Sequence, residues 1–369
     1  MRKVLNAIRH DIILVVAFFA AVISCFFVRP DSAYAGYIDW RTLALLYCLM
    51  VVVAGLRRAG AFSSLARTLC KRASTTRQLG FVLVMLCFVS SMLITNDVSL
   101  LTFVPFSIMV LSIAGQQKQI IPVIVFQTVA ANMGSMLTPV GNPQNLYIYS
   151  YYDIPAAEFL RMSFPVWLVS LIITLLLCML LPKDEINHEM RGKEPLNHKS
   201  LAVYALLFGV CILTVLRVIS WPLMLAAVVL VIAVYDRKML IHADFLLLLT
   251  FICFFVFSGN MARIEAVYEV LSTAIKGHEL LLGAGLSQVI SNVPATLLLA
   301  GFTESARELL LGVDIGGLGT PVASLASLIS IKLYMVAKDA DLAGFMKWFF
   351  AANFGMLAVL VVIFGVICG

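Results

Sequence analysis

Four polar segments interrupt otherwise apolar stretches of this chain, and they carry the residues that could bind a ligand. Two are short, Thr95-Asn96-Asp97 and Ser291-Asn292-Val293-Pro294, and two are richer in glycine and proline, Ala131–Asn145 and Gly316–Pro321. None of them contains Lys or Arg. A lipid-facing helix does not tolerate such breaks, because each unpaired backbone group in hydrocarbon costs several kcal/mol. We therefore interpret them as breaks in membrane-depth helices that are buried in protein or line a wet cavity.

Half-helix ends that meet at such breaks would form an anion site without a basic side chain. The N-terminus of a half-helix carries unpaired N–H groups and about half a positive charge. The opposite ends offer carbonyls, which together with Asn, Ser and Thr oxygens coordinate Na⁺. The pattern predicts a carboxylate or oxyanion site, with Na⁺ at Thr95, Asn96, Ser291 and Asn292. The predicted substrate- and ion-binding residues are Thr95, Asn96, Asp97, Asn132, Gly134, Ser135, Thr138, Pro139, Gly141, Asn142, Gln144, Asn145, Ser291, Asn292, Pro294, Thr296, Asp314, Gly316, Gly317, Gly319, Thr320 and Ser324.

Two carboxylates fall at these breaks, and an acidic residue at membrane depth is a functional hypothesis by default. Asp97 either carries a coupling proton or ligates a cation, or it caps the second arm of a hairpin; these roles do not exclude one another. Asp314 is placed nearer the outer surface, where a partly wet, helix-breaking residue is the favoured interpretation.

The elements that position these segments are membrane helices. The chain has 369 residues, of which 62% are hydrophobic and 12% charged, whereas soluble domains are closer to half apolar and a quarter charged. Apolar stretches bounded by charges predict an all-α polytopic membrane protein. The net charge of +6 follows from basic residues at span ends, as the positive-inside rule expects, so no nucleic-acid partner is predicted.

Several chemistries are excluded by missing motifs. The eight cysteines contain no CxxC pair, which argues against a disulfide framework or a zinc site. No Walker loop, HExxH or GxSxG occurs, so neither ATP hydrolysis nor these enzymatic mechanisms are expected of this chain. We predict that it is not an enzyme and needs no cofactor beyond a coupling ion, Na⁺ or H⁺.

The hydropathy pattern predicts seven simple spans, two interrupted hairpins, two broken spans and two interfacial helices. The simple spans are Ile12–Val28, Thr42–Leu56, Phe164–Leu181, Leu201–Leu216, Pro222–Tyr235, Phe245–Phe257 and Trp348–Ile367. The hairpins are Leu79–Ile113 and Leu280–Phe302, with arms of about 15 residues in the first; the broken spans are Ile120–Tyr149 and Leu309–Tyr334. The interfacial helices are Arg57–Arg77 and Asn260–Glu279. A tyrosine-rich interfacial segment, Ser150–Arg161, follows Tyr147 and Tyr149 and contains Tyr151 and Tyr152, and a short helix starts at Asp339.

These elements divide the chain into five parts. Residues 1–78 hold scaffold spans and a cytoplasmic interfacial helix, and 79–182 hold the first hairpin and broken span. Residues 183–199 form a cytoplasmic linker, 200–279 hold scaffold spans and an external interfacial helix, and 280–369 hold the second hairpin, broken span and last span. Basic loops place the multi-pass chain in the cell membrane with a cytoplasmic N-terminus and an external C-terminus.

The two halves repeat the same features in the same order. Thr95-Asn96 aligns with Ser291-Asn292, and Thr138-Pro139-Val140 aligns with Thr320-Pro321-Val322. Asn132 then corresponds to Asp314. The basic-loop rule makes the two repeats inverted, and inverted repeats whose discontinuous helices meet at the midplane are the architecture of secondary transporters.

These motifs resemble the ion transporter superfamily, which includes citrate-transporter-like proteins, sodium-coupled dicarboxylate symporters, arsenite permeases and sodium/proton antiporters. The tips Thr95-Asn96 and Ser291-Asn292, and the run Thr-Pro-Val-Gly-Asn-Pro-Gln-Asn from Thr138, carry the resemblance over nearly the whole chain. It implies a homodimer, with scaffold spans near 1–56 and 201–257 and a moving transport domain. It also implies that substrate binds between the hairpin tips with Na⁺ beside it.

The chain departs from the carboxylate symporters at the third tip residue, where they have Thr and this chain has Asp97 and Val293. Asp97 favours proton coupling or the antiporter branch, whereas Gly-Asn-Pro-Gln-Asn favours an anion permease. The main hypothesis is a secondary active transporter of a small anion, working by alternating access. The alternatives are a Na⁺/H⁺ antiporter of the same fold and an arsenite permease subunit.

Overall fold

The computed structural model describes residues 12–71, 73–186, 196–337 and 340–367. The basic N-terminus, most of the predicted linker and the start of the short helix at Asp339 lie outside these ranges. The helices are α1 (Ile12–Phe27), α2 (Trp40–Arg58), α3 (Ala61–Cys70), α4 (Thr76–Ile94), α5 (Asn96–Ile113), α6 (Ile120–Ser135), α7 (Pro143–Tyr151), α8 (Ala156–Met179), α9 (His198–Val215), α10 (Trp221–Asp236), α11 (Phe245–Arg263), α12 (Glu265–Ile275), α13 (Glu279–Ile290), α14 (Asn292–Leu299), α15 (Ala306–Ile315), α16 (Leu325–Met335) and α17 (Leu342–Val361).

The predicted all-α membrane fold is confirmed. Within the described residues, strand-like pairing is limited to an isolated bridge between Thr75 and Glu185. Seven helices there are long and apolar enough to cross a membrane. Their starts follow ordinary capping rules: the side chains of Asp39, Asp244 and Asp341 accept backbone N–H groups at the start of α2, α11 and α17, which satisfies donors that a helix leaves unpaired.

The scaffold helices pack in pairs, α1 against α11 and α2 against α9 and α10. Asn260 on α11 is buried and donates to Ser24 Oγ on α1 at 2.8 Å. The prediction that Asn260 begins an interfacial helix is therefore wrong, because α11 continues to Arg263 and the amphipathic helix is α12. Arg263 closes this end of the scaffold through an ion pair with Asp31 at 2.8 Å.

Both predicted hairpins are present, but each tip is tighter than expected. A single residue separates α4 from α5 and α13 from α14, namely Thr95 at φ 69° and Ser291 at φ 76°. Asn96 and Asn292 already begin the next helix. One residue with positive φ is enough to reverse the chain, so a longer unwound tip is not needed.

The arms of the two hairpins differ in length. In the first hairpin α4 and α5 have 19 and 18 residues, longer than the expected 15. In the second, α13 and α14 have 12 and 8 residues. At about 1.5 Å rise per residue α13 spans roughly 18 Å, well short of a bilayer core of about 30 Å. Re-entrance of both hairpins stays a prediction.

The two broken spans are confirmed, but the first break, 136–142, is narrower than predicted, and the second, 316–324, is wider. The first consists of α6 and α7, separated by residues 136–142, so Ala131 to Ser135 are helical and Pro143 to Asn145 form the first turn of α7. The second consists of α15 and α16, so Asp314 belongs to the last turn of α15. Asn142 and Ser324 cap the second half-helices, and these two residues are equivalent in the repeat.

Three other boundaries differ from the prediction. Tyr147 and Tyr149 are buried in the protein, so they do not belong to an interfacial belt. Helix α8 begins at Ala156 rather than Phe164. Helix α17 begins at Leu342 and runs without interruption into the last span, so the separate short helix is not formed in the described residues. In each case the segment beside the predicted span is amphipathic, which suggests a position at the membrane interface. In the structure these residues instead pack as part of a helix.

Close packing at the start of the first break gives a test of the fold. A Cβ at Gly134 would overlap the Phe88 carbonyl oxygen on α4, a main-chain atom that cannot move aside. We expect Gly134→Ala to destabilise the protein by about 1–3 kcal/mol, as overpacking does. Thermal unfolding of the detergent-solubilised protein measures this.

The matched control is Gly355→Ala on α17, where a Cβ meets nothing within 4 Å. Removing a helical glycine there should leave stability unchanged or raise it by up to about 1 kcal/mol. Equal unfolding midpoints for the two alanine variants would contradict the packing argument.

Candidate functional site

The two hairpin tips have the same local geometry. Thr95 and Ser291 have backbone angles of φ 69°, ψ 149° and φ 76°, ψ 152°. The Oδ1 atom of the asparagine after each tip accepts the next backbone N–H, from Asp97 at 3.0 Å and from Val293 at 2.9 Å. The side-chain oxygen of each asparagine thus caps the start of its own helix.

Each break is tied to the first arm of its hairpin by a threonine. Thr138 Oγ1 donates to the Met92 carbonyl, and Thr320 Oγ1 donates to the Gln288 carbonyl at 2.8 Å. Met92 and Gln288 are equivalent under the offset that relates Thr95 to Ser291. The threonine of each Thr-Pro-Val motif therefore attaches the break to the first arm of its hairpin.

The glycines before the breaks allow these helices to approach closely. A Cβ at Gly134 would meet Phe88 and Ser91 on α4, and a Cβ at Gly316 would meet Ala284 and Ser287 on α13. Phe88 and Ser91 correspond to Ala284 and Ser287 in the repeat. These glycines lie at predicted breaks, and they also allow two helices to pack closely, as small residues do.

Asn132, in the last turns of α6, joins the first broken span to the second. Its Oδ1 accepts from Asn96 Nδ2 at 3.1 Å and from Ser324 Oγ at 3.0 Å. Its Nδ2 donates to the Gly317 carbonyl at 3.4 Å and to Ser327 Oγ at 3.5 Å. We call these contacts of Asn132 with Ser324 and Ser327 the first clamp. Because both ends of the amide are used, the neutral side chain is fully satisfied.

Asp314, the repeat equivalent of Asn132, reaches the opposite way. Its Oδ1 accepts from Asn142 Nδ2 at 3.3 Å and from Gln144 Nε2 at 3.2 Å, and Asn142 Oδ1 accepts the backbone N–H of Asn145 at 2.9 Å. We call this cluster of Asp314 with Asn142, Gln144 and Asn145 the second clamp. The residue is 2% exposed, so the prediction of a partly wet position is wrong, whereas its depth in the membrane stays a prediction.

The two clamps are related by the repeat. Asn132 and Asp314 are equivalent, Ser324 corresponds to Asn142, and Ser327 corresponds to Asn145. The helices show the same crossing, since α5 packs against α16 and α14 packs against α7. The second half-helix of each broken span therefore packs against the hairpin of the other repeat.

The predicted residues do not all converge. Asn96, Asn132, Ser135, Asn142, Gln144, Asn145, Asn292, Asp314 and Ser324 are buried close to the crossing, and Ser135 Oγ accepts from Asn142 Nδ2 at 3.2 Å. Thr296 instead donates to the Asn292 carbonyl within its own helix at 2.7 Å. Asp97 is half-buried at the start of α5, and its Oδ1 has no hydrogen-bond partner among the described residues.

The remaining predicted residues shape the main chain of the breaks and tips. Thr95, Gly141 and Ser291 lie where the chain reverses or approaches itself, and a Cβ at Gly141 would overlap the Ser135 carbonyl. Gly319 has φ +100°, a value that favours glycine. The others are Thr138, Pro139, Gly134, Pro294, Gly316, Gly317 and Thr320.

Two residues of the site were missed in the sequence. Gln288 Nε2 donates to the Gly316 and Leu318 carbonyls at 2.9 and 3.0 Å, and its Oε1 accepts the Thr320 N–H at 2.9 Å. Ser327 belongs to the first clamp. The alignment with Asn145 could have identified Ser327, and Gln288 could have been noticed as an amide inside an apolar helix, because polar residues in membrane helices are costly.

The first clamp makes a testable contribution to stability. Asn132→Ala would leave the buried groups of Asn96 and Ser324 without this partner, at a cost of about 1–3 kcal/mol per unsatisfied group. We expect a lower midpoint of thermal unfolding. The control is Asn353→Ala, because the one side-chain bond of buried Asn353 within the described residues is to the Phe349 carbonyl of its own helix. A loss as large in the control would contradict the role of the clamp.

Comparison with known proteins places this arrangement among transporters. Residues 4–307 match the model of a citrate transporter family. The chain is 32% identical over 299 residues to an uncharacterised transporter of Methanocaldococcus jannaschii, covering 80% of this chain and 81% of that protein. It is 31% identical over 320 residues to the inner membrane protein YbiR of Escherichia coli, covering 84% of each. The silicon efflux transporter LSI3 of Oryza sativa is 36% identical over 155 residues, 41% of this chain and 31% of that protein. With its paired hairpins, crossed broken spans and family match over most of its length, the chain belongs to the citrate transporter family of membrane transporters.

Proposed function

We propose that this protein is a secondary active transporter that moves a small anion, an organic carboxylate or an oxyanion, by alternating access coupled to Na⁺ or H⁺. The observation that carries the proposal is the matched geometry of the two tips at Thr95-Asn96 and Ser291-Asn292. Each begins a helix, and the positive end of the helix dipole favours an anion.

The chemistry of the site supports a small, polar substrate. The breaks and tips contribute amides, hydroxyls and helix ends, without a Lys or Arg. Such donors bind a carboxylate or oxyanion by hydrogen bonds, and the carbonyl ends of α4, α6, α13 and α15 provide oxygens for a cation beside it. We place Na⁺, where it is used, at the two tips.

The arrangement of the whole transporter follows from the same proposal. The hairpins, broken spans and last span form a transport domain that moves against a scaffold of α1, α2 and α9–α11. The protein works as a homodimer in the cell membrane, with its N-terminus in the cytoplasm and its C-terminus outside.

A second candidate substrate class is the small oxyacids. One relative is named a silicon efflux transporter and another a putative arsB transporter of Dictyostelium discoideum, 24% identical over 164 residues. Neutral or weakly charged oxyacids such as silicic acid and arsenite suit a site that is rich in amides and hydroxyls and carries no basic side chain.

Uptake into proteoliposomes tests the proposal and its rivals. We expect either labelled citrate or one of the oxyacids, arsenite and silicic acid, to undergo counterflow, because an alternating-access carrier exchanges substrate across the membrane. If none of the three moves while an imposed Na⁺ gradient drives proton flux, the protein is a Na⁺/H⁺ antiporter and the anion proposal fails.

The tip asparagines give a residue-level prediction. We expect Asn96→Ala and Asn292→Ala each to lower uptake of the transported probe at least about tenfold, which corresponds to about 1.4 kcal/mol. Initial uptake rates in proteoliposomes measure this, with Asn353→Ala as a control for a buried asparagine away from the tips. Uptake by both tip variants equal to that of the control would contradict a site at the tips.

A further inference from the structure

The second clamp contains two buried acceptors that have no donor. Asp314 Oδ2 accepts no hydrogen bond from the described residues, although its Oδ1 accepts two. Asn145 is fully buried, and its Oδ1 is also without a donor there. Its Nδ2 is occupied by the carbonyls of Ser135, Met136 and Thr138 at 3.2–3.4 Å. Since unpaired buried acceptors are costly, this local pattern points to a missing donor.

A single proton would supply that donor. An ionised carboxylate only accepts hydrogen bonds, whereas a carboxylic acid carries one O–H donor. Asn145 belongs to the same buried cluster as Asp314, because Asn142 Nδ2 donates to Asp314 Oδ1 at 3.3 Å and Asn142 Oδ1 accepts the Asn145 N–H at 2.9 Å. A proton on Asp314 Oδ2 would provide a donor for Asn145 Oδ1, and both unpaired acceptors would be satisfied at once.

The first clamp shows which hydrogen bonds can form in this geometry. Asn132 presents one acceptor, Oδ1, and one donor, Nδ2, and its donor reaches Ser327. Ser327 is the repeat equivalent of Asn145. A neutral Asp314 reproduces the same pattern, with Oδ1 as acceptor and Oδ2–H as donor, whereas an ionised Asp314 does not.

We propose that Asp314 is a proton-binding site whose neutral, protonated form completes the second clamp. The proton is taken from and returned to bulk water, and no other bond changes. In the transporter proposed above, this proton is the coupling ion, so the coupling role rests on the proposed function while the proton site itself does not. Ionisation removes the donor to Asn145 and weakens the grip of α15 on α7.

Few other ionisable groups belong to the helices packed against α15. They are Glu279 on α13, Glu158, Arg161 and Cys178 on α8, Lys347 on α17 and the tyrosines of α7, and α15 itself carries Arg307 and Glu308, while α6 and α14 contain none. Glu279 lies at the start of α13 and accepts from Thr303 at 2.9 Å. The side chains that donate to Asp314 are those of Asn142 and Gln144, and no ion pair among the described residues includes it.

Infrared spectroscopy of the purified protein tests the site without a transported substrate. We expect the carboxylic-acid C=O band of the wild-type protein to contain a component that disappears as the pH is raised, and this component to be absent from Asp314→Asn. Asparagine keeps an acceptor and a donor in place, so we expect this variant to fold. Asp97→Asn, which alters the other carboxylate at a break, should keep the component.

The outcomes separate the site from the transport function. Persistence of the titrating component in Asp314→Asn, or its absence from the wild-type protein at every pH where it is folded, overturns the proton site. If citrate is transported, we expect a pH gradient to stimulate its uptake in the wild-type protein and not in Asp314→Asn. Equal stimulation in both overturns the coupling role. If citrate, arsenite and silicic acid all fail to move while an imposed Na⁺ gradient drives proton flux, the proposed function is overturned, and the infrared result then decides the proton site by itself.

Discussion

A helix that breaks inside a membrane must find partners in the protein for every backbone group it frees, since hydrocarbon offers none. One side chain meets much of this requirement at each break. Asn145 donates to three carbonyls of the first break, and Gln288 donates to two carbonyls and accepts one N–H of the second. The breaks are therefore as well defined as the helices around them, and the half-helix ends are held in fixed positions.

The crossing of the two halves follows from this requirement. Asn132 and Asp314 each extend from the end of one half-helix to the start of the second half-helix of the other broken span. A contact of this kind satisfies polar groups and at the same time fixes the two repeats relative to one another. The candidate site is thus built at the position where the two halves hold each other, and a change in one clamp acts on both.

The difference between the two clamps is chemical, because their geometry is shared. One position carries a neutral amide and its equivalent carries a carboxyl group. Because only one member of this pseudo-symmetric pair is ionisable, its charge can distinguish two halves that otherwise share the same geometry. Small changes in a buried hydrogen-bond network have large effects because the local dielectric is low.

The sequence pattern predicts the structure of this protein best where the bilayer constrains the chain. Composition and apolar stretches were sufficient for the membrane fold, the two hairpins and the two broken spans, because the bilayer imposes length and polarity on each helix. The repeat is visible in short motifs, and the equivalence of Asn142 and Ser324 as helix caps agrees with it. Boundaries at Ala156, Asn260 and Leu342 were wrong because amphipathic flanks look alike whether they lie at an interface or pack inside a longer helix.

The sequence by itself determined which residues interrupt the helices and that they come in pairs, since a lipid-facing helix rarely tolerates clustered glycine, proline and amides. Only the tertiary structure decided how those residues pair across the halves. It placed Asp314 in a buried amide cluster rather than in a partly wet position, and it gave Gln288 its partners at the second break, which no local pattern indicates. The physical reason is that a hydrogen-bond partner far away along the chain leaves no mark on the spacing of neighbouring residues, and it becomes visible only when the helices are packed.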